Sequence, residues 1–192
     1  MISQNALSRM LSQARTLRRG FAPTAPKPWD GTTAAAELMV QVGHLAQCIG
    51  RRKGIDMRHF EDPARPITNT GDELADVALA ILSTAILSGD ELAPAAPGAP
   101  DRFTGDSDED TRLLLTLIVA AGQLAESTMV SDGYRHRPTE NMPVVGGAAG
   151  TALAVTDDLA TAVGVQIPVA FDTMAADAAE FLAARAAGGD PA

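Results

Sequence analysis

Apolar residues recur at helical spacing through most of this sequence, and the alternating pattern of a half-buried strand is nearly absent. Near the N-terminus, apolar side chains fall every three or four residues, which predicts an amphipathic helix over 3–18: Leu7, Met10, Leu11, Ala14 and Leu17. The same reasoning predicts five further helices, over 33–49, 70–88, 107–130, 147–164 and 168–187. The sequence therefore predicts an all-α protein built as a helical bundle.

The composition is typical of a soluble globular protein with a sizeable core. The 192 residues are 46% apolar and carry a formal net charge of −9. Such an acidic chain lacks the basic stripe of a nucleic-acid-binding surface and is not attracted to anionic lipid. We therefore expect neither nucleic acid nor membrane as a partner. The single cysteine, Cys48, excludes an internal disulfide and favours a reducing compartment, so the expected location is cytoplasmic.

A short segment near the N-terminus resembles an export signal. TLRRGFA at 16–22 carries Arg18, Arg19 and Phe21 in the order of a twin-arginine signal. Such a signal needs an apolar run behind it, and the next residues, PTAPKPWDG, are rich in proline. No segment approaches the ~20 uninterrupted apolar residues that would span a bilayer. Export is therefore not expected.

A segment rich in proline and glycine divides the chain nearly in half. Residues 89–106, GDELAPAAPGAPDRFTGD, have the composition of a linker. An N-terminal helical unit is then expected over 1–88 and a C-terminal unit over 107–187, the two packed together as one bundle.

The two halves resemble each other. LMVQVGHLAQC at 38–48 aligns with LIVAAGQLAES at 117–127, 79 residues later. MRHFEDP at 57–63 aligns with YRHRPTE, and GDELADVALAIL at 71–82 aligns with TDDLATAVGVQI at 156–167. Two such units cannot bury their apolar faces alone but can pack as a pseudo-dimer. The alternative is chance similarity between alanine-rich helices.

The stretch TGDELADVALAIL at 70–82 places three acids in the first two turns of an apolar helix. Thr70 as N-cap, with Glu73 as its capping-box partner, and the helix dipole explain Asp72 and Glu73. Neither effect explains Asp76. Glu73 and Asp76, three residues apart, share one face of the helix and would suit a metal ion.

Three features of the first half of the sequence together resemble the MazG-like, all-α nucleoside triphosphate pyrophosphohydrolase superfamily. They are Trp29 in an entry loop, the helix LMVQVGHLAQCIG at 38–50 and the helix DELADVALAIL at 72–82. The similarity covers about 27–88, with a fainter second copy over 113–164. It implies a bundle of two related MazG-like helix-loop-helix units, a pseudo-dimer in one chain. Both a homodimer and a monomer are compatible with this arrangement, because the fused repeat could suffice by itself.

The resemblance implies cleavage of a nucleoside triphosphate, NTP or dNTP, to the monophosphate and pyrophosphate, with Mg²⁺ or Mn²⁺ as cofactor. In that family, carboxylates from two antiparallel helices hold ions that clamp the phosphates of the substrate. The ExxD element of the family is present here as Glu73 and Asp76. At the family's EExxE element, the glutamates are replaced by Val40, Gln41 and His44.

The expected catalytic residues are accordingly Glu37, Glu73 and Asp76, with Gln41 and His44 completing the set of metal ligands. Glu37, Gln41 and His44 form one polar stripe along the helix over 33–49. Glu37 lies one helical turn before Gln41 in this stripe, although it is not the family's residue. A His44 ligand would suit Mn²⁺ or Zn²⁺ better than Mg²⁺. The alternative is a catalytically degenerate MazG-like protein, a nucleotide-binding or scaffold module in which Gln41 and His44 only hydrogen-bond to the facing helix.

Substrate contacts are expected from a group of basic residues and from the entry loop. These residues are Trp29, Arg51, Arg52, Lys53, Arg58, His59 and Asn69. Phosphate binding by the basic members competes with the simpler interpretation of solvated loop charge. In the second half, Gln123 replaces His44, and Asp157 with Asp158 stands near the position of Glu73. A competent site is therefore expected only in the first half.

Overall fold

The structure, a computed structural model, describes residues 1–64, 66–93 and 108–186. These residues form six α-helices and contain no β-strand beyond an isolated bridge residue, which confirms the all-α prediction. The helices are α1 Gln4–Phe21, α2 Gly31–Arg52, α3 Thr70–Leu87, α4 Glu109–Ser131, α5 Val145–Ala162 and α6 Ile167–Ala186. Two short 3₁₀ turns, Ala22–Thr24 and Arg58–Phe60, lie in the connections that flank α2.

Four of the helices surround the main core as two antiparallel hairpins. α2 packs on α3, α4 packs on α5, and the hairpins meet through contacts of α2 with α4 and of α3 with α5. Each hairpin contributes fully buried leucines at the centre: Leu38, Leu45, Leu74, Leu117, Leu124 and Leu159. Burying one such side chain stabilises the fold by about 1.5–3 kcal/mol. The outer pair, α1 and α6, packs together and against α3.

The N-cap of α3 differs from the sequence prediction. Asn69, not Thr70, is the cap: its side-chain oxygen accepts hydrogen bonds from the backbone N–H groups of Gly71 at 2.9 Å and Asp72 at 3.4 Å. Thr70 is the first residue of the helix, so the predicted capping box of Thr70 with Glu73 is wrong. Glu73 therefore does not cap the helix, and its side chain is buried.

Glycines with positive φ end the helices of both hairpins at matching places. Gly54 follows α2 at φ 75° and Gly133 follows α4 at φ 79°, a separation of 79 residues. Gly89 follows α3 at φ 72° and Gly164 follows α5 at φ 81°, a separation of 75 residues. Glycine adopts this conformation without the steric cost that a Cβ would bring.

These helix ends agree with one predicted alignment and contradict another. The offset of 79 that aligns 38–48 with 117–127 is also the offset between the ends of α2 and α4. Aligning 71–82 with 156–167 requires an offset of 85, whereas the ends of α3 and α5 require 75. That pairing is therefore wrong by about three helical turns.

The predicted linker is described only at its beginning, because residues 94–107 lie outside the described residues, as does the predicted helix end at 187. The beginning is tied to the start of α5. Ala93 donates its N–H to the carbonyl of Gly146 at 3.1 Å, and Asp90 accepts the Gly146 N–H at 3.3 Å. A Cβ on Gly146 would lie 1.9 Å from the carbonyl oxygen of Glu91, so this approach requires a glycine.

By length and composition alone, α4 could cross a membrane. Its most apolar window has a mean hydropathy of 1.6, and α5 with α6 passes the same test as a pair bent by 102°. Core helices of globular proteins also pass this test, and 44% of the α4 window is buried inside the protein. The finding is weak evidence, and the absence of a membrane partner stays a prediction.

Candidate functional site

A cleft of about 1130 Å³ lies beside α2 and α3, walled on the far side by the end of α1, the connection to α2, and α6. Apolar side chains line that far wall: Phe21, Pro26, Pro28, Trp29, Met174 and Phe181. Acidic side chains line the cleft as well: Glu37, Asp72, Asp76 and Asp177. The cleft therefore combines a surface suited to a flat apolar group with a surface suited to cations.

A smaller cavity of about 40 Å³ shares part of this lining. Six residues line both spaces: Arg18, Trp29, Glu37, Gln41, Asp76 and Leu79. The two spaces together define the candidate site.

Polar side chains form a chain of contacts that leads from the cleft into the α2–α3 interface. Gln41 Nε2 donates to Glu37 Oε1 at 2.6 Å, and Gln41 Oε1 lies 3.2 Å from His44 Nδ1. The same His44 nitrogen lies 3.5 Å from Glu73 Oε2. The spacings of four and three residues along α2 put Glu37, Gln41 and His44 on one face, as the sequence predicted.

The five predicted metal ligands thus lie in one neighbourhood, but they divide into two groups. Glu37, Gln41 and Asp76 line the cleft and the small cavity. His44 and Glu73 are not part of either lining and meet each other behind Gln41. Gln41 joins the two groups, because its amide contacts both Glu37 and His44.

The described residues contain no group of three or more His, Cys, Asp and Glu side chains placed to hold a metal ion. A complete protein cage of the predicted five ligands is therefore not preformed in this structure. Two carboxylates, Glu37 and Asp76, nevertheless open into one cavity. One or two carboxylates are what Mg²⁺ usually takes from a protein when substrate phosphates and waters supply its other ligands. The residues present fit an ion that arrives with a phosphate group.

Arg18 is a site residue that the sequence reasoning considered only as part of an export signal. Its guanidinium carbon lies 4.9 Å from the centre of the Trp29 ring and 5.6 Å from that of Phe21. Burial lowers the pKa of Arg18, and the nearby charge of Glu37 partly opposes that shift. The sequence does contain a pattern that places Arg18 toward the protein. Arg18 lies four residues after Ala14, so it continues the apolar stripe of α1.

Of the predicted substrate-binding residues, Trp29 lines the cleft and the others do not. Asn69 caps α3, as described above. Arg51 pairs with Glu61 at 2.7 Å and also donates to the Ile67 carbonyl, while Arg58 pairs with Asp56 at 2.7 Å. These guanidinium groups are held by local partners, which agrees better with structural loop charge than with phosphate binding.

Lys53, Arg52 and His59 also lie outside the cleft lining. Lys53 bridges to the start of α4, with its Nζ 2.7 Å from Asp108 and 2.9 Å from Asp110. Its ammonium group therefore joins the two hairpins instead of facing a ligand.

The second hairpin has no counterpart of this polar site. The offset of 79 places Thr116, Ala120 and Gln123 where α2 has Glu37, Gln41 and His44. The offset of 75 places Ala148 and Thr151 where α3 has Glu73 and Asp76. The expectation that Asp157 and Asp158 stand near the position of Glu73 is therefore wrong. Asp157 lies further along α5, where its Oδ2 is 3.0 Å from the N-terminal amine of Met1.

No protein-family model matches this chain, and neither a curated protein nor a solved structure shows significant similarity to it.

Proposed function

We propose that the cleft is the nucleotide site of a MazG-like pyrophosphohydrolase, which cleaves an NTP or dNTP to the monophosphate and pyrophosphate with Mg²⁺ or Mn²⁺. One observation carries the proposal: Glu37 of α2 and Asp76 of α3 face one cavity beside Trp29 and Arg18. Facing carboxylates on two packed helices suit a metal-bound triphosphate, and the adjoining aromatic wall suits a base. In this proposal the two hairpins are related units that form a pseudo-dimer in one chain.

Glu37 and Asp76 are the residues that would hold the ion. A bound divalent ion supplies charge neutralisation for the phosphates and lowers the pKa of water. Gln41 orients Glu37 through the 2.6 Å hydrogen bond, and His44 in turn contacts both Gln41 and Glu73. Glu73, placed behind these residues, is a positioning residue in this arrangement.

A second candidate, a catalytically degenerate nucleotide-binding or scaffold module, is favoured by the state of Glu37. Its Oε1 already accepts a hydrogen bond from Gln41. That bond occupies an acceptor site that an ion would otherwise use, and Gln41 stands where the related family has a glutamate. In such a module the cleft, Trp29 and Arg18 would still bind a nucleotide, but the protein would not cleave it.

Turnover separates the two candidates. The chain would be incubated with a panel of NTPs and dNTPs plus Mg²⁺ or Mn²⁺, and pyrophosphate release would be measured. We expect the wild type to release pyrophosphate and Asp76→Ala to release it at least about 100-fold more slowly. The reason is that a carboxylate that holds the ion contributes to stabilising the transition state. Thr151→Ala, at the matching position of the second hairpin, is the control and should keep the wild-type rate.

Ion binding gives a second readout that needs no substrate. If Glu37 and Asp76 hold a divalent ion, its addition raises the melting temperature, because the stabilisation grows as RT ln(1 + [L]/Kd). Asp76→Ala should abolish the shift while its circular dichroism spectrum stays helical. A wild type that shows neither a shift nor turnover would rule out the enzyme and leave the binding module.

A further inference from the structure

Arg18 is held differently from the basic side chains of this protein that pair with a carboxylate. Those with a described carboxylate partner include Arg9 with Asp172, Arg51 with Glu61, Lys53 with Asp108, Arg58 with Asp56 and Arg135 with Glu126. Arg18 instead contacts two aromatic rings, and its buried Nε has no hydrogen-bond partner among the described residues. A buried guanidinium N–H without an acceptor costs free energy, and a ligand oxygen would remove that cost.

The position of Arg18 is as informative as its missing acceptor. Among the described residues, Arg18 is the one Lys, Arg or His side chain in the lining of either the cleft or the small cavity. Four acids share the cleft with it. An anionic ligand in this acidic cleft would therefore meet one cationic side chain among the described lining residues. Any further positive charge that neutralises the ligand must come from ions bound to the ligand.

We propose that Arg18 is the phosphate-binding residue of the cleft and donates from its guanidinium edge to phosphate oxygens of the nucleotide. The inference rests on the proposed function, because it takes the ligand to be a nucleotide. Trp29 and Phe21 hold the guanidinium group, so its planar fork is oriented before a ligand arrives. Such a fork matches two phosphate oxygens, which a lysine ammonium group does not.

The neighbours of Arg18 favour a phosphate over the edge of a base. Arg18 lines the small cavity together with Glu37 and Asp76, the two carboxylates that would hold the phosphate-bound ion. The apolar side chains Phe181 and Met174 line the large cleft but not the small cavity. A nucleotide would therefore place its phosphates at Arg18 and its base toward Phe181.

Binding, not turnover, tests this assignment. The probes are α,β-methylene-ATP, whose α–β bridge resists hydrolysis, inorganic tripolyphosphate and adenosine, each with Mg²⁺. Trp29 is the sole tryptophan and contacts Arg18, so its fluorescence reports occupancy in the wild type. Calorimetry measures the variants, because changing Arg18 also changes the emission of Trp29.

Arg18→Gln should weaken α,β-methylene-ATP and tripolyphosphate about 10- to 100-fold, the worth of a charge-assisted hydrogen-bond pair. Adenosine binding should stay unchanged. Arg19→Gln is the matched control: Arg19 is exposed, donates to the carbonyl of Arg15, and should bind all three probes like the wild type. Arg18→Lys keeps the charge without the fork and should fall between wild type and Arg18→Gln, which also covers the case that the glutamine variant loses its helical spectrum.

Two results would overturn the assignment. One is wild-type affinity of Arg18→Gln and Arg18→Lys for tripolyphosphate. The other is a loss confined to adenosine, which would put Arg18 at the base. Failure of the enzyme proposal would look different. If binding depends on Arg18 but no pyrophosphate is released, the hydrolase proposal fails and the phosphate site remains. If Arg18→Gln releases pyrophosphate at the wild-type rate, the phosphate site fails and the hydrolase proposal remains.

Discussion

The two hairpins of this bundle share their helix lengths and ends but not their chemistry. α3 and α5 each span 18 residues, and α2 and α4 span 22 and 23. Leu45 in α2 and Leu124 in α4, 79 residues apart, are both fully buried. Asp76 of α3, in contrast, faces the cleft, while Thr151 at the matching position of α5 has no carboxylate to offer.

The difference separates what the bundle needs from what the site needs. Apolar side chains at the core positions and glycines at the helix ends are present in both hairpins, because packing and chain reversal impose the same demands twice. Acidic side chains beside a cleft are present only in the α2–α3 hairpin of the two, because helix packing does not require them. Polar residues on α2 and α3 that the second hairpin lacks are therefore the best guide to function in this chain.

The largest effects are expected where the hairpins agree. Leu45→Ala and Leu124→Ala each leave a cavity in the core and should each lower the free energy of unfolding by about 2–5 kcal/mol. Urea denaturation followed by circular dichroism measures both. A loss in one variant that is several-fold larger than in the other would show that the hairpins do not contribute equally to one core.

Glycine substitutions offer a smaller test, in which the sign of the effect depends on position. Gly89→Ala and Gly164→Ala force a Cβ into the left-handed region and should each cost about 1–2 kcal/mol. Gly43→Ala and Gly122→Ala, at matching exposed sites within α2 and α4 where a Cβ meets nothing within 4 Å, should each stabilise the protein by about 0.5–1 kcal/mol. Thermal melts of the four variants give the comparison, and the same sign for all four would contradict the positive φ at Gly89 and Gly164.

The smallest effect is expected at the helix caps, where the hairpins differ by one ion pair. Asp30 caps α2 and Asp108 caps α4, but only Asp108 has an ammonium partner, Lys53, among the described residues. Hydrogen bonds, first from Lys53 and then from the backbone N–H of Thr111, lower the pKa of Asp108 from 3.8 to about 2. Because the pKa is lower in the folded state, Asp108 stabilises the protein above about pH 4, and this contribution is lost as the pH falls toward 2.

Asp108→Asn keeps a capping oxygen and removes the charge. It should therefore lower stability slightly at pH 7 and leave it unchanged near pH 2, with a small size because the pair is exposed to solvent. Chemical denaturation at pH 7, 4 and 2 measures the effect. Asp30→Asn, without a lysine partner, should show less pH dependence. An equal response from both variants would mean that the Lys53–Asp108 pair contributes nothing to stability beyond the cap itself.

Sequence reasoning predicted the six helices and the polar face of α2. Glu37, Gln41 and His44 were placed on one face by their spacing alone, and that face does meet α3. Two inferences failed for a shared reason. The pairing of 71–82 with 156–167 matched letters in alanine-rich helices, whose core positions accept many apolar residues. The capping box of Thr70 matched a motif, but the neighbouring Asn69 is an equally favoured N-cap residue, and it is the cap in the structure.

By itself, the sequence determined the local features: six helices with their approximate ends, and the correspondence between α2 and α4. Periodicity, caps and end glycines act over a few residues, so they can be read from neighbours in the chain. Only the tertiary structure decided which charges meet in the cleft. Arg18 comes from α1 to face Glu37 of α2, while Arg51 at the end of α2 and Lys53 just after it pair with Glu61 and Asp108. A charged side chain takes the partner that packing brings within reach, and that partner can lie far away along the chain.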